Sequence, residues 1–150
     1  MPTPVEILSS LHTTLIDAVK GYDEGASIAK RDDLGSLCKE LKTTHMSSAH
    51  AIAGQLLERG ERPIADGSFM STVHKLVLNT RFLLTADEKS LLPALRDGEK
   101  RILTVYDDVL REAEIADAEF TTSERQILSD QREAVLENLR KLDAMIPAAA

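Results

Sequence analysis

The stretch TPVEILSSLHTTLIDAVKGYDEGASIA, residues 3–29, decides the fold class of this chain. Its first four residues, Thr3 to Glu6, have the form of a capping box with proline at the first helical position. Apolar or small side chains then recur at the spacing of one helical face, at Leu8, Leu11, Leu15, Ala18, Tyr22, Ala26 and Ala29. The stretch therefore predicts an amphipathic helix, helix A, over about residues 4–30.

Four more helices are predicted from the same kinds of signal, and no segment shows the alternation of a β-strand. Proline at Pro93 should break or kink helix D, because proline lacks the amide donor and clashes with the preceding turn. The predicted helices are B, from Asp32 or Asp33 to near Gly60, C, from Ser68, D, from a capping box at Thr85–Glu88 to about Ile115, and E, from Thr121 to about Met145.

Length and composition favour a single all-α domain. A chain of 150 residues suits one domain, which we place at residues 1–146, followed by a frayed tail at residues 147–150. Aromatic residues make up only 3% and tryptophan is absent. The core must then be built from aliphatic side chains, which favours packed helices over a sheet sandwich. We therefore predict a four- or five-helix bundle.

Charge and cysteine content exclude several classes of protein. The net charge of −7 argues against nonspecific binding to nucleic acid or to anionic membranes. A single cysteine excludes an internal disulfide and a cysteine-based metal cluster. No apolar run reaches the roughly 18 residues of a membrane span, and the N-terminus lacks the features of a secretory signal. We therefore expect a cytoplasmic protein.

Several polar residues fall on the faces that should point inward. At about 100° per residue, His45 falls in the apolar stripe of helix B and Glu99 in that of helix D, which also carries Tyr106. Gln131 and Asn138 lie among the apolar positions of helix E. One interpretation is a satisfied hydrogen-bond network in which Glu99 pairs with His45 or Tyr106. The other is a variant or remnant of a metal or ligand site.

A conventional di-iron centre is not predicted. Such a centre needs a Glu from each of two helices and a Glu-x-x-His pair from each of two others, and no acidic residue here is followed by histidine at that offset. We accordingly expect no cofactor. If iron or manganese does bind, the candidate ligands are His45 and Glu99, with His74 as an outside candidate.

A second type of site is suggested by His50 in helix B. Histidine phosphotransfer domains are helical bundles that carry an exposed histidine and a glycine four residues later, and Gly54 stands at that position. They usually also carry a lysine three residues after the histidine, where this chain has Ala53. A solvated surface histidine is the simpler interpretation.

Two further predictions concern packing. Cys38 phases inward beside Leu34 and Leu41, which predicts a buried, unreactive thiol. Helices C and E carry more apolar surface than one bundle seam requires, which predicts a homodimer, two-fold dimers being the commonest soluble oligomer. The surplus apolar residues are Leu78, Phe82 and Leu84 in helix C and Leu136 in helix E.

The segment from Arg96 to Leu110 resembles part of a ferritin-like four-helix-bundle family that occurs mainly in proteobacteria, domain of unknown function 2383. Residues Leu8 to Ala29, with two glycines, the turn Gly60-Glu61-Arg62-Pro63, His74 and Gln131 agree with it, so the resemblance covers about residues 5–142. One departure is Ala26, where relatives have a polar or aromatic residue. The resemblance implies a ferritin-like up-down four-helix bundle, here with an additional C-terminal fifth helix, and no established activity.

Two function classes remain open from the sequence. The first is a non-catalytic bundle that acts by binding to itself or to a protein partner, because no complete set of catalytic residues is present. The second is an atypical metal-binding or redox- or stress-linked ferritin-like protein that uses His45 and Glu99. Phosphotransfer through His50 is a third, more distant, alternative.

Overall fold

The computed structural model describes residues 2–63, 88–115 and 119–146, and within these ranges all regular structure is helical. The predicted helix C, with its residues His74, Leu78, Phe82 and Leu84, lies outside the described residues. The described helices are α1 (Pro4–Ile28), α2 (Asp32–Glu58), α3 (Glu88–Ile115) and α4 (Thr122–Met145). They correspond to the predicted helices A, B, D and E.

Local capping chemistry fixes the starts of α1 and α4. The Thr3 hydroxyl accepts from the backbone N–H of Glu6, and the Glu6 carboxylate accepts from the backbone N–H of Thr3. Thr121 and Glu124 form the same reciprocal pair at the start of α4. The predicted capping box at Thr3 and the predicted helix cap at Thr121 are therefore confirmed, and each satisfies amide donors that have no partner within the helix. The capping box predicted at Thr85–Glu88 begins outside the described residues.

The start of α2 differs from the prediction. Arg31, not Asp32 or Asp33, is the N-cap residue, and it makes no side-chain capping bond. The two aspartates lie in the first helical turn, where the helix dipole favours negative charge. Asp33 is also held in place by the Arg31 guanidinium, at 2.7 Å. The dipole and this ion pair favour the aspartates inside the helix.

Pro93 does not break α3, since the helix is continuous across it, and of the two predicted outcomes only a kink stays a prediction. The ring of Pro93 is exposed, so it occupies the solvent side of the helix. Its neighbours Leu91, Leu92 and Leu95 are almost completely buried. Burial of each leucine contributes about 1.5–3 kcal/mol, which together exceeds the cost of about 3 kcal/mol for proline inside a helix.

Buried residues on each helix establish how the four helices run. One apolar cluster joins the beginnings of α1 and α4 to the ends of α2 and α3, and its members include Ile7, Leu128, Leu56 and Val109. The other cluster joins the ends of α1 and α4 to the beginnings of α2 and α3, and its members include Tyr22, Leu142, Leu34 and Leu91. Thus α1 and α4 run in one direction, and α2 and α3 run in the other.

The C-terminal helix takes part in the bundle, because α4 supplies buried residues to both clusters and packs against α2 and α3. Since α2 and α3 are parallel, α2 ends at one end of the bundle and α3 begins at the other. The predicted helix C would stand between them in the chain, outside the described residues. The up-down order and the count of five helices therefore stay predictions.

Candidate functional site

A layer of polar side chains separates the two apolar clusters. His45 lies on α2 between Leu41 of one cluster and Ala49 of the other, and Glu99 lies on α3 between Leu95 and Ile102. Asn138 has the equivalent place on α4, and all three polar side chains are buried. The sequence-predicted residues are thus brought to one level of the bundle.

Glu99 is the centre of this layer, and each of the other helices contributes one side chain to it. The Tyr22 hydroxyl, on α1, donates to Glu99 Oε1 at 2.6 Å. His45 Nε2, on α2, contacts the same oxygen closely. Asn138 Nδ2, on α4, lies 3.5 Å from Oε2. All three side chains can donate to Glu99 when His45 carries hydrogen on Nε2 and the Glu99 carboxylate is ionised, because an ionised carboxylate only accepts.

Tyr22 is the member of this cluster that the sequence analysis missed. It was grouped with the apolar face of the first helix, although a buried tyrosine hydroxyl requires a hydrogen-bond partner. Its ring also stacks on the His45 imidazole, with 5.6 Å between ring centroids. The available signal was the inward-facing position of Tyr22 itself, since its buried hydroxyl needs an acceptor.

The second tyrosine has a different partner from the one considered. Tyr106 does not pair with Glu99; its hydroxyl donates to Gln131 Oε1 at 2.7 Å. Gln131 Nε2 in turn donates to the backbone carbonyl of Ser48 at 3.2 Å. The buried polar side chains therefore form two separate networks. One is centred on the Glu99 carboxylate in the polar layer, and the other, on the Gln131 amide, lies two helical turns away beside the first apolar cluster.

Burial keeps both phenols protonated. It raises the pKa of Tyr22 well above its ordinary value, and the negative charge of Glu99 raises it further. The pKa of Tyr106 is also raised, first because of burial. Both hydroxyls are therefore donors at neutral pH.

The candidate metal ligands give a sparse donor set. His45 and Glu99 do meet, whereas His74 lies outside the described residues. Within the described part of the chain, no three His, Cys, Asp or Glu side chains are grouped so that they could hold a metal ion. A di-iron cage needs carboxylates and imidazoles from all four helices, and here two of the four positions are a phenol and an amide.

An open groove lies between α2 and α4, beside the polar layer. Its volume is about 430 Å³, and its lining residues are Thr43, Thr44, Ser47, Ser48, Asp130, Gln131 and Ala134. Gln131 is the only one of these that belongs to the two polar networks through its side chain. The groove is not lined by Tyr22, His45, Glu99 or Asn138, so it does not open onto the carboxylate.

His50 lies on the surface of α2, away from the polar layer. Its side chain is exposed, and a Cβ placed on Gly54, one turn later, would meet no atom within 4 Å. Burial and then the neighbouring His50 lower the pKa of His12, which is on α1. The two imidazoles are therefore close enough to repel when charged, and His50 is accessible from solvent.

Cys38 is fully buried, as predicted, and a Cβ placed on Gly25 would lie 3.3 Å from its sulfur. Burial raises the pKa of the thiol to about 11. We expect a chromogenic disulfide reagent to label the native protein much more slowly than the protein unfolded in guanidinium, because the thiolate is the reactive form. Equal labelling rates in the two states would contradict this prediction.

The fold and this interior define the class as an all-helical bundle with a polar centre. The chain belongs to the family described as Domain of unknown function (DUF2383), whose model matches residues 3–112. Neither a curated protein nor a solved structure matches the chain.

None of the helices within residues 2–63, 88–115 and 119–146 combines the length and the apolar character that a membrane crossing requires.

Proposed function

We propose that this protein is a non-catalytic, ferritin-like bundle without a di-iron centre, and that it acts by binding, first of all to a second copy of itself. The directions of the helices support the ferritin-like part of the proposal. Ferritin-like bundles contain one long connection between two parallel helices. Here α2 and α3 are parallel, which is the relation between the two helices that such a connection joins.

The observation that carries the proposal is the saturation of Glu99. Its side chain is 0% exposed, and Tyr22, His45 and Asn138 surround its two oxygens. A general acid or base must reach the substrate directly or through one water. A carboxylate that is buried and already engaged by three neighbours does not meet this requirement, so its role is to fix how the four helices pack.

Exposed apolar side chains support self-association. Leu57 is 65% exposed and Ile115 is 60% exposed. They lie near the ends of α2 and α3, which are at the same end of the bundle. Grouped exposed apolar residues mark interaction surfaces on soluble proteins, and a two-fold dimer would cover such a surface on both copies.

Light scattering at micromolar concentration tests this binding role. We expect twice the chain mass of 16.5 kDa. If the dimer uses the end of the bundle that carries Leu57 and Ile115, we expect a return to the monomer mass in Leu57→Glu. Leu136→Glu and Phe82→Glu test the surface predicted from the sequence, and Lys39→Glu, at an exposed position on α2, serves as the control. A monomer in the unmodified protein would contradict the proposal.

The convergence of His45 and Glu99 favours one alternative, an atypical metal-binding or stress-linked bundle that uses iron or manganese. Metal analysis of protein made in iron- and manganese-replete medium separates the two functions. We expect no stoichiometric metal, because the polar layer between the described helices offers one carboxylate and one imidazole where a two-metal cage needs several. One tightly held metal per chain that is lost in Glu99→Ala would establish the alternative instead.

A further inference from the structure

The chain contains two tyrosines and no tryptophan, and the two phenols have chemically different partners. Tyr22 donates its hydroxyl hydrogen to a carboxylate, at 2.6 Å. Tyr106 donates to the amide oxygen of Gln131, at 2.7 Å. The hydrogen bonds are similar in length, but a carboxylate can accept the proton itself whereas an amide oxygen is a far weaker base.

We propose that Tyr22, together with Glu99, is a proton-coupled one-electron redox site that goes beyond the binding function proposed above. In the step, the Tyr22 O–H bond breaks and its proton moves to Glu99 Oε1, where a new O–H bond forms. The electron leaves the phenol for a one-electron oxidant at the protein surface, such as an organic peroxyl radical. That oxidant, reduced to its anion, takes a proton from water and becomes a hydroperoxide, which leaves hydroxide in the solvent, while Tyr22 becomes a neutral phenoxyl radical.

Burial makes the proton transfer a requirement of the oxidation. A phenol that loses an electron and keeps its proton is a cation, and a buried cation costs far more than a neutral group. Glu99 removes this cost because its oxygen already holds the hydrogen bond along which the proton moves. His45 contacts the same oxygen and stacks on the Tyr22 ring, so it holds the carboxyl and the phenol in register for the transfer.

The surroundings also distinguish the two rings by access. Tyr22 retains 4% exposure, whereas Tyr106 is 0% exposed. This difference is small, so the proton acceptor is the main feature that selects Tyr22 over Tyr106.

Flash photo-oxidation gives a direct test with a matched control inside the same chain. The full-length protein is mixed with the tris(bipyridine) complex of ruthenium(II) and persulfate, exposed to one flash and frozen for electron paramagnetic resonance. We expect a tyrosyl radical in the unmodified protein and in Tyr106→Phe, and a loss of that signal to background in Tyr22→Phe. Equal signals in the two single variants, or a signal that vanishes only in Tyr106→Phe, would overturn the proposal.

The role of Glu99 as the proton acceptor has its own readouts. In Glu99→Gln, whose fold is verified by circular dichroism, we expect oxidation of Tyr22 to slow by at least about 10²-fold, the loss typical of a removed base. In the unmodified protein, the oxidation rate should fall in deuterium oxide, a measurement that does not depend on any variant folding. A rate that is the same in light and heavy water would show that no proton moves in the step and would reject the assignment.

Discussion

Replacement of Glu99 by alanine is expected to lower the free energy of unfolding by about 2–4 kcal/mol. The reason is the set of groups that it leaves behind. Tyr22, His45 and Asn138 all direct polar atoms at the Glu99 carboxylate, and all are at least nine-tenths buried. Without the carboxylate, these donors lie in the interior with neither protein nor water to accept from them.

Equilibrium unfolding in urea, followed by circular dichroism, measures this difference. The matched control is Glu24→Ala, which removes the same side chain from an exposed position on α1 and should change the stability by less than about 0.5 kcal/mol. If the two variants lose the same stability, Glu99 is not the centre of a buried network and the account of the polar layer fails.

The elements of the fold were predictable because their signals are local. The capping boxes at Thr3 and Thr121 lie within four residues of sequence, and each marks a helix start in the structure. The inward positions of His45 and Glu99 follow from the helical period alone. Such features are determined by neighbours along the chain, and a single sequence contains those neighbours.

The partners of these residues were not predictable in the same way. Tyr22 and Glu99 are separated by 77 positions, and nothing local indicates that they face each other. Pattern and period therefore identified which side chains are buried, but only the packing of the helices selects Tyr22, rather than Tyr106, as the partner of Glu99.

Glu124 makes contacts in the folded protein that its place in a helix cap does not predict. The sequence identified the segment as a helix cap, yet the Glu124 carboxylate also receives two hydrogen bonds from Arg59, at 2.5 and 2.6 Å. Arg59 follows the end of α2, donates to the backbone carbonyl of Glu119 as well, and lies 6.0 Å from the Phe120 ring centre. This cluster fastens the end of α2 to the beginning of α4.

The ionic state of this pair is tied to folding. Burial alone would raise the pKa of the Glu124 carboxyl, but hydrogen bonds from Arg59 and from the Thr121 backbone, with the charge of Arg59, hold that pKa below its ordinary value. Because the pKa of Glu124 is lowered in the folded state, its ionised carboxylate stabilises the fold at pH values above the ordinary glutamate pKa of about 4.3. The contribution is lost as the pH falls through the lower, folded-state pKa.

We therefore expect Glu124→Ala to lower the free energy of unfolding by about 3 kcal/mol at neutral pH, since it leaves a partly buried guanidinium without its partner. Glu124→Gln retains a side chain that can complete the capping box and should cost less, about 1.5–3 kcal/mol, the value of hydrogen bonds to a charged group. Both deficits should shrink at acidic pH, where the carboxylate of the unmodified protein is itself protonated.

The matched control for this pair is the exposed pair formed by Arg140 and Glu137 on α4, whose atoms are 2.8 Å apart. Its side chains are 67% and 54% exposed, against 25% and 2% for Arg59 and Glu124. Solvent screens the exposed pair, so Glu137→Ala should cost no more than about 0.5 kcal/mol. Urea unfolding of the variants at neutral and acidic pH tests this prediction. It would be contradicted if Glu124→Ala and Glu137→Ala cost similar stability, or if the loss in Glu124→Ala did not change with pH. Either result would show that burial, and not the ion pair, joins α2 to α4.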